Sequence, residues 1–577
     1  MIGYLRSTGT GPNAASIFVD GTSFGSGPVG SGITMDPGLI TTIDGDIVLT
    51  GNGSRGIELT GTVSSTGTGS DAGQITIDST GDGSGIGVII NQPVASVDGD
   101  IFITGNAGFR GVSLGSVGIV QSTGSGVDAA NIEITGSGST DISLDRSGIG
   151  VSADAGDITL TANTLQLDAG VEGHGELIIQ PRGFFGVDVG IGDNAFGELQ
   201  LTAAEVANIQ DGFSVIRIGN ERASITEIDT ITFTDPLVID SDETNIFGQL
   251  TGADNASITL RDSLGFETTT LSANIVTNGN AVLVDDHLIL DGSVTIDTTG
   301  GGMFAGADVS FLRNVDAFFG EGTGGDLTVI AGTTGIVTFN DAIGSSNPLD
   351  ALTVSAQTVN FSGGFVSLYG DLSLTTQSLD LNNVNVSADG NITLLADNGI
   401  TISGETFVST ESGGSISINA DNDANGTGTF SFDSGGAIIS ATEGPGGDVS
   451  ITAADVVIGG QIDAGDGVVT FAPSAPGQTI FFGDGPDPAG VISLSKLDGT
   501  TGFRLDGIDA SDRSGRSVSS AGDVNGDGFD DLIIGAYGAD PGMESYAGES
   551  YVVFGKASNF NSAIDLNTLD GMTGFRI

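Results

Sequence analysis

The sequence predicts an all-β chain: a long parallel β-helix, or β-solenoid, over residues 1–485, followed by a segment of different texture over 486–577. Three observations carry that reading. Glycine is abundant, 97 of 577 residues, and each one placed inside a long helix would cost about 1 kcal/mol. Short runs alternate apolar and polar residues with period two between Gly, Asp, Asn and Ser, as half-buried strands do. These runs also recur at near-constant spacing, the mark of one supersecondary unit stacked on copies of itself.

The repeat is explicit near the start. TGTGPNAASIFV (8–19), TGTGSDAGQITI (66–77) and TGSGVDAANIEI (123–134) align without gaps. A second family, DGDIVLT (44–50), DGDIFIT (98–104) and AGDITLT (155–161), is interleaved with it. The strand isoleucines Ile17, Ile47, Ile75, Ile101, Ile132 and Ile158 then step along the chain by 30, 28, 26, 31 and 26 residues. A unit of about 28 residues with insertions in its loops fits these steps; at roughly 22–28 residues per coil and ~4.8 Å per coil, residues 1–485 predict a rod on the order of 80–105 Å long. The same grammar returns in GDLTV (325–329), GNITL (390–394), GSISI (414–418) and GDVSI (447–451). Glycine is expected to supply positive-φ corners, and Asp or Asn the side-chain-to-backbone turns. One block departs from the pattern: in residues 201–212, Thr202 and Glu205 have capping-box spacing and Gly212 closes the run, so a short helix lying outside the solenoid over a coil face is expected.

Composition excludes several classes. With 15 Lys and Arg against 73 Asp and Glu, the formal charge is −58, and no basic footprint for nucleic acid exists. Cysteine is absent, so no disulfide framework is possible. The first residues lack the basic and apolar regions of a signal peptide, and no run of ~18 apolar residues predicts a membrane-spanning helix. His174 and His287 are far apart in a chain without Cys, which gives neither a zinc site nor a His-based triad. His174 reads as a loop residue and His287 as a strand start. Paired carboxylates are too common among 73 acids to mark a glycosidase. The regular Thr-x-Thr ladder of an ice-binding face does not persist.

The C-terminal segment carries the sharpest motif. LDGTTGFRL (497–505) returns as LDGMTGFRI (569–577), and between them lies GDVNGDGFDDLIIGA (522–536). Asp523, Asn525, Asp527 and Asp531 hold positions 1, 3, 5 and 9 of a loop, Gly528 permits the tight turn, and the Phe529 carbonyl falls at position 7. Hard Ca²⁺ takes six to eight oxygen ligands, and this spacing can wrap five around one ion. Ile534 stands at position 12 in place of the EF-hand Glu, so the loop is expected within a β-hairpin. Asp421, Asp423 and Asn425 begin a similar pattern, but Thr429 holds its ninth position; a solenoid corner is expected there, and turns at the Gly-Gly-Asp segments 324–326 and 446–448.

Two resemblances follow from these residues. The Gly-Asp-Ile-Thr-Leu-Thr coils over 1–485, with residues 205–219 and 231–239, resemble the shafts of filamentous-haemagglutinin-like bacterial exoproteins of the cyanobacterial type. The 486–577 segment resembles an FG-GAP repeat, the blade unit of the integrin-α-like β-propeller. Asp523, Asn525, Asp527 and Asp531 match its calcium positions, and Gly535-Ala536 the start of its GAP element. Tyr537 stands in place of the usual Pro, and Ser514-Gly515 in place of Phe-Gly. One blade and the start of a second are expected, which reads as a piece of a longer protein. The resemblances imply a non-enzymatic, extracellular or bacterial-surface rod bearing a calcium-binding module for adhesion or surface structure. They further imply a protein or glycan ligand and an outer-membrane secretion partner. The alternatives are a polysaccharide-active β-helix enzyme and a self-assembling matrix or surface-layer component.

Overall fold

The computed structural model describes residues 4–22, 31–183, 186–221, 223–262, 268–318, 325–411, 413–432, 437–439, 447–475, 499, 502–543 and 546–577. The chain divides into two compact units, 1–483 and 484–577. In the first, strands pair in parallel with the strands of the next coil. The isoleucines of the repeat are themselves the stacking partners: Ile17 with Ile47, Ile47 with Ile75, Ile75 with Ile101, Ile101 with Ile132 and Ile132 with Ile158. Further on the coils shorten, and Leu352, Leu372 and Ile392 are successive partners 20 residues apart. There each coil gives one strand to each of three sheets, as in Phe365–Leu368, Leu372–Thr376 and Leu379–Asn382. Inward residues of every coil, Leu372, Leu374 and Leu381 among them, are buried in one continuous core. Like residues stack within it: the Phe311 and Phe339 rings lie 4.8 Å apart and Phe361 follows at 5.4 Å, the spacing of neighbouring strands.

The acidic corners have a defined task. Asp46 Oδ1 accepts the Gln74 N–H of the next coil at 3.1 Å. The relay continues: Asp100 accepts from Asn131, Asn131 from Asp157, and Asp157 from Glu176, at 2.9, 2.9 and 2.7 Å. Later, Asp371 accepts from Asn391, Asn391 from Ser415, and Asp448 from Val468. The conspicuous Asp of Gly-Asp-Ile is therefore a cap for a strand-end amide that the ladder leaves unpaired.

Glycine has a second role besides the expected positive-φ corner. Gly21, Gly51, Ser79, Gly105 and Gly136 form one column through successive coils, and none of these glycines has positive φ. The chain folds back tightly beside them: a Cβ on Gly105 would lie 2.1 Å from the Gly111 carbonyl oxygen. Close approach, not conformational freedom, demands glycine at Gly21, Gly51, Gly105 and Gly136. Gly105→Ala is expected to cost about 1–3 kcal/mol by overpacking, read by denaturant unfolding. Gly126→Ala, with nothing within 4 Å of its Cβ, is expected to stay within about 0.5 kcal/mol of wild type; equal costs at both positions would reject the account.

The 201–212 block is a single turn, Ala203–Val206, with the capping box of Thr202 and Glu205 in place. It does not lie over the solenoid as expected but forms part of its wall. Glu205 Oε1 accepts the Leu167 N–H at 3.1 Å and Asn208 Nδ2 donates to the Leu167 carbonyl at 2.7 Å. Ile209 bridges to Val171 in parallel, and Val206, Ile209 and Phe213 are buried in the core. Side chains replace the backbone ladder at Leu167, and the ladder resumes at Val171, which bonds Asn208 and Gln210 through the backbone.

An outward column of hydroxyls, Thr328, Thr353, Ser373, Thr393, Ser417, Ser450 and Thr470, runs along the eleven-stranded sheet. Its neighbour two residues on reads Ile330, Ser355, Thr375, Leu395, Asn419 and Thr452, so paired threonine rows do not form. Among the described residues no helix is long and apolar enough to cross a membrane.

In the second unit, Ser514–Gly522, Asp531–Ala536, Glu549–Val553 and Gly574–Arg576 form an antiparallel four-stranded sheet in that order. Its last strand comes from the second copy of the Leu-Asp-Gly motif. The first copy instead gives the strand Arg504–Asp506, which starts at the residue equivalent to Arg576 and pairs in parallel with Ala563–Asp565. A small core of Ile534, Ala536, Ala539, Tyr551, Val553 and Leu566 supports the sheet.

Candidate metal centre

Residues 523–530 connect two strands whose last and first residues, Gly522 and Asp531, are register partners. Asp523 organises the turn. Its Oδ1 accepts the Gly526 and Asp527 N–H groups at 2.7 and 2.9 Å, and its Oδ2 accepts that of Gly528 at 2.9 Å. Reaching these contacts puts Gly526 and Gly528 at φ 76° and 93°, which glycine adopts without a steric penalty. Asn525 Oδ1 accepts from Asp527 N–H, Asp527 Oδ1 from Phe529 N–H, and Asn525 Nδ2 donates to Asp527 Oδ2. Asp523, Asn525, Asp527 and Phe529 are exposed, whereas Asp531 is buried at the neck of the loop. Asp531 Oδ2 accepts the Val524 N–H and its Oδ1 the Gly555 N–H, both at 2.8 Å.

The structure thus gathers the five predicted residues in one hairpin. Among the described residues, however, no group of three or more His, Cys, Asp or Glu is placed so that it could hold a metal ion. The donor chemistry suits a hard cation: every candidate ligand is an oxygen, and a carboxylate oxygen that accepts one N–H keeps a second lone pair. An ion would have to draw together carboxylates that now serve the loop's own amides.

Sequence reasoning missed the link from Asp531 to Gly555, which is 24 residues away. It noted Tyr537 only as a departure from the repeat. Here the Arg513 and Arg516 guanidinium carbons lie 5.3 and 5.8 Å from the Tyr537 ring centroid, and Arg513 also donates to its hydroxyl. An aromatic ring within 6 Å of two guanidinium groups gives this position a cation–π role that proline could not fill.

The Asp421 loop repeats the hydrogen bonding of 523–529: Asp421 accepts from the Asn425 and Gly426 N–H groups, and Asn425 from that of Thr427. It joins Ile416–Asn419 to Thr429–Phe432 and is a solenoid corner. His174 lies in an exposed turn, its Nδ1 2.7 Å from the Asp154 carbonyl. His287 does begin a strand, His287–Leu290, and its Nε2 meets Asp316 Oδ2 at 2.8 Å. Its neighbour Asp286 is buried, and burial pushes its carboxyl up to about 7. Both Asp286 oxygens are engaged internally, one by the Thr269 hydroxyl and one by the His287 N–H.

A parallel β-solenoid and an acidic hairpin loop in a separate antiparallel sheet define the class of this chain. The family model for the FG-GAP repeat matches residues 514–553, so the segment that holds the loop is similar to these repeats. Comparison with curated proteins and with solved structures found no match.

Proposed function

We propose that the chain is a non-enzymatic rod, secreted or held at a bacterial cell surface, whose C-terminal unit binds calcium and serves adhesion or surface structure. The observation that carries this reading is the 523–531 loop. Its oxygen donors occupy positions 1, 3, 5 and 9, its inward amides fix their side chains, and it lies within the FG-GAP-like segment. Such repeats are typical of extracellular proteins. The coil style, similar to filamentous-haemagglutinin-like exoproteins, supports the same compartment and an outer-membrane secretion partner. In this reading the solenoid supplies length and the blade supplies contact with a protein or glycan. Asp523, Asn525, Asp527, Asp531 and the Phe529 carbonyl would hold the ion, which supplies positive charge that offsets repulsion among the carboxylates. The raised Asp286 carboxyl is the kind of group a polysaccharide-active enzyme uses, but its buried, doubly engaged oxygens favour a packing role. Calorimetry of the full chain with Ca²⁺ tests the proposal. Binding is expected, with Asp527→Ala at least about tenfold weaker; no heat above background, or unchanged affinity in Asp527→Ala, rejects it.

A further inference from the structure

The C-terminal unit holds an open cleft of about 460 Å³, within the size range of small-molecule sites. Its lining includes the apolar side chains of Val553, Phe554 and Ile564. Phe560 forms one wall, stacked on Phe503 at 4.2 Å, and Lys556 Nζ sits 4.8 Å from its ring centroid. The remaining charged residues of the lining are Asp527, Asp565 and Asp570. The lining thus carries one ammonium and three carboxylates, and the aromatic wall already attracts a cation through its ring quadrupole. Asp570 remains ionised because the Met572 and Thr573 N–H groups and the Thr573 hydroxyl donate to its Oδ1, which holds its carboxyl below the usual range.

We propose that this cleft binds a small organic cation, a primary amine on an apolar body, with the body on Val553, Phe554 and Ile564 and the ammonium among Asp527, Asp565 and Asp570. The cleft also shares parts with the 523–531 loop. Asp527 belongs to both, and Gly555 of the cleft donates to the buried Asp531. This linkage, unlike the cleft itself, rests on the calcium reading. An ion held by Asp527 removes negative charge from the cleft and weakens amine binding, and reciprocity requires the amine to weaken calcium equally.

The test uses the full chain with phenethylammonium and its neutral isostere 2-phenylethanol, followed by saturation-transfer NMR and calorimetry. In EDTA the ammonium is expected to bind about tenfold more tightly than the alcohol. Asp565→Asn with Asp570→Asn should erase that preference. Both amides keep the oxygen that accepts from the Asn567 N–H and from the 570–573 turn, so folding should survive. Lys556→Gln, which removes a competing cation, should tighten the ammonium, and calcium should loosen it about fivefold. Equal binding of the two probes, or a preference that survives the double substitution, overturns the cleft proposal even where calcium binds. An intact preference without calcium heat instead sinks the calcium reading and leaves the cleft standing. Calcium binding that leaves the ammonium affinity unchanged refutes the linkage through Asp527.

Discussion

Asp316→Ala is expected to cost the solenoid about 3–5 kcal/mol, because it removes a buried, charged hydrogen-bond centre and leaves its partners without an acceptor. The Asp316 side chain is 0% exposed. Its Oδ2 meets His287 Nε2 at 2.8 Å, and its Oδ1 accepts the Ser346 and Asn347 N–H groups at 2.8 and 3.2 Å. His287 lies 29 residues before it and Ser346 30 after, so one carboxylate ties three successive coils. Burial pushes this carboxyl up, but the His287 and amide hydrogen bonds outweigh it and leave the group below its usual range. An acid depressed on folding adds stability above its unfolded pKa of about 3.9, and that stability is lost as pH falls through the folded value. Asp316→Asn, which keeps an acceptor for the two amides, should therefore lose the Asp316 share of the acid-side slope below about pH 4. Hydrogen exchange over 287–347 and acid unfolding read both effects. A cost under about 1 kcal/mol for Asp316→Ala would show that the bridge contributes no more than a surface ion pair.

The His287–Asp316 pair marks the boundary of what was legible. Strands and their stacking order could be read because both are local or periodic: alternation fixes the buried face, and the isoleucine steps name the cross-coil partners. The capping box at Thr202 was legible for the same reason. Whether that turn lay on the wall or in it was not, since the answer depends on Glu205 and Asn208 reaching Leu167, 38 and 41 residues earlier. The glycine column cannot be told from corner glycines in the sequence, because a positive φ and a close approach demand the same residue. At the site, loop positions 523 to 531 follow from spacing alone. The cleft beside them does not, for its walls come from residues 553–573, which carry no motif beyond the repeated Leu-Asp-Gly.

Asp531 offers the most discriminating substitution in the loop, because packing and ligation make different demands on it. Asp531→Ala leaves the Val524 and Gly555 N–H groups without an acceptor and should destabilise the C-terminal unit by about 2–4 kcal/mol. A core as small as that of Ile534, Ala536, Tyr551, Val553 and Leu566 gives little reserve against such a loss. Limited proteolysis and hydrogen exchange across 514–553 should report it with or without calcium. Asp531→Asn keeps one acceptor but not the charge, so the unit should remain folded while calcium affinity falls at least about tenfold. The two carboxylate oxygens each accept one N–H in the structure, and only a second lone pair could reach an ion. If Asp531→Asn binds calcium as tightly as wild type while Asp531→Ala unfolds the C-terminal unit, Asp531 is a clamp between the loop and Gly555. The ion would then be held by Asp523, Asn525, Asp527 and the Phe529 carbonyl, with solvent completing its shell.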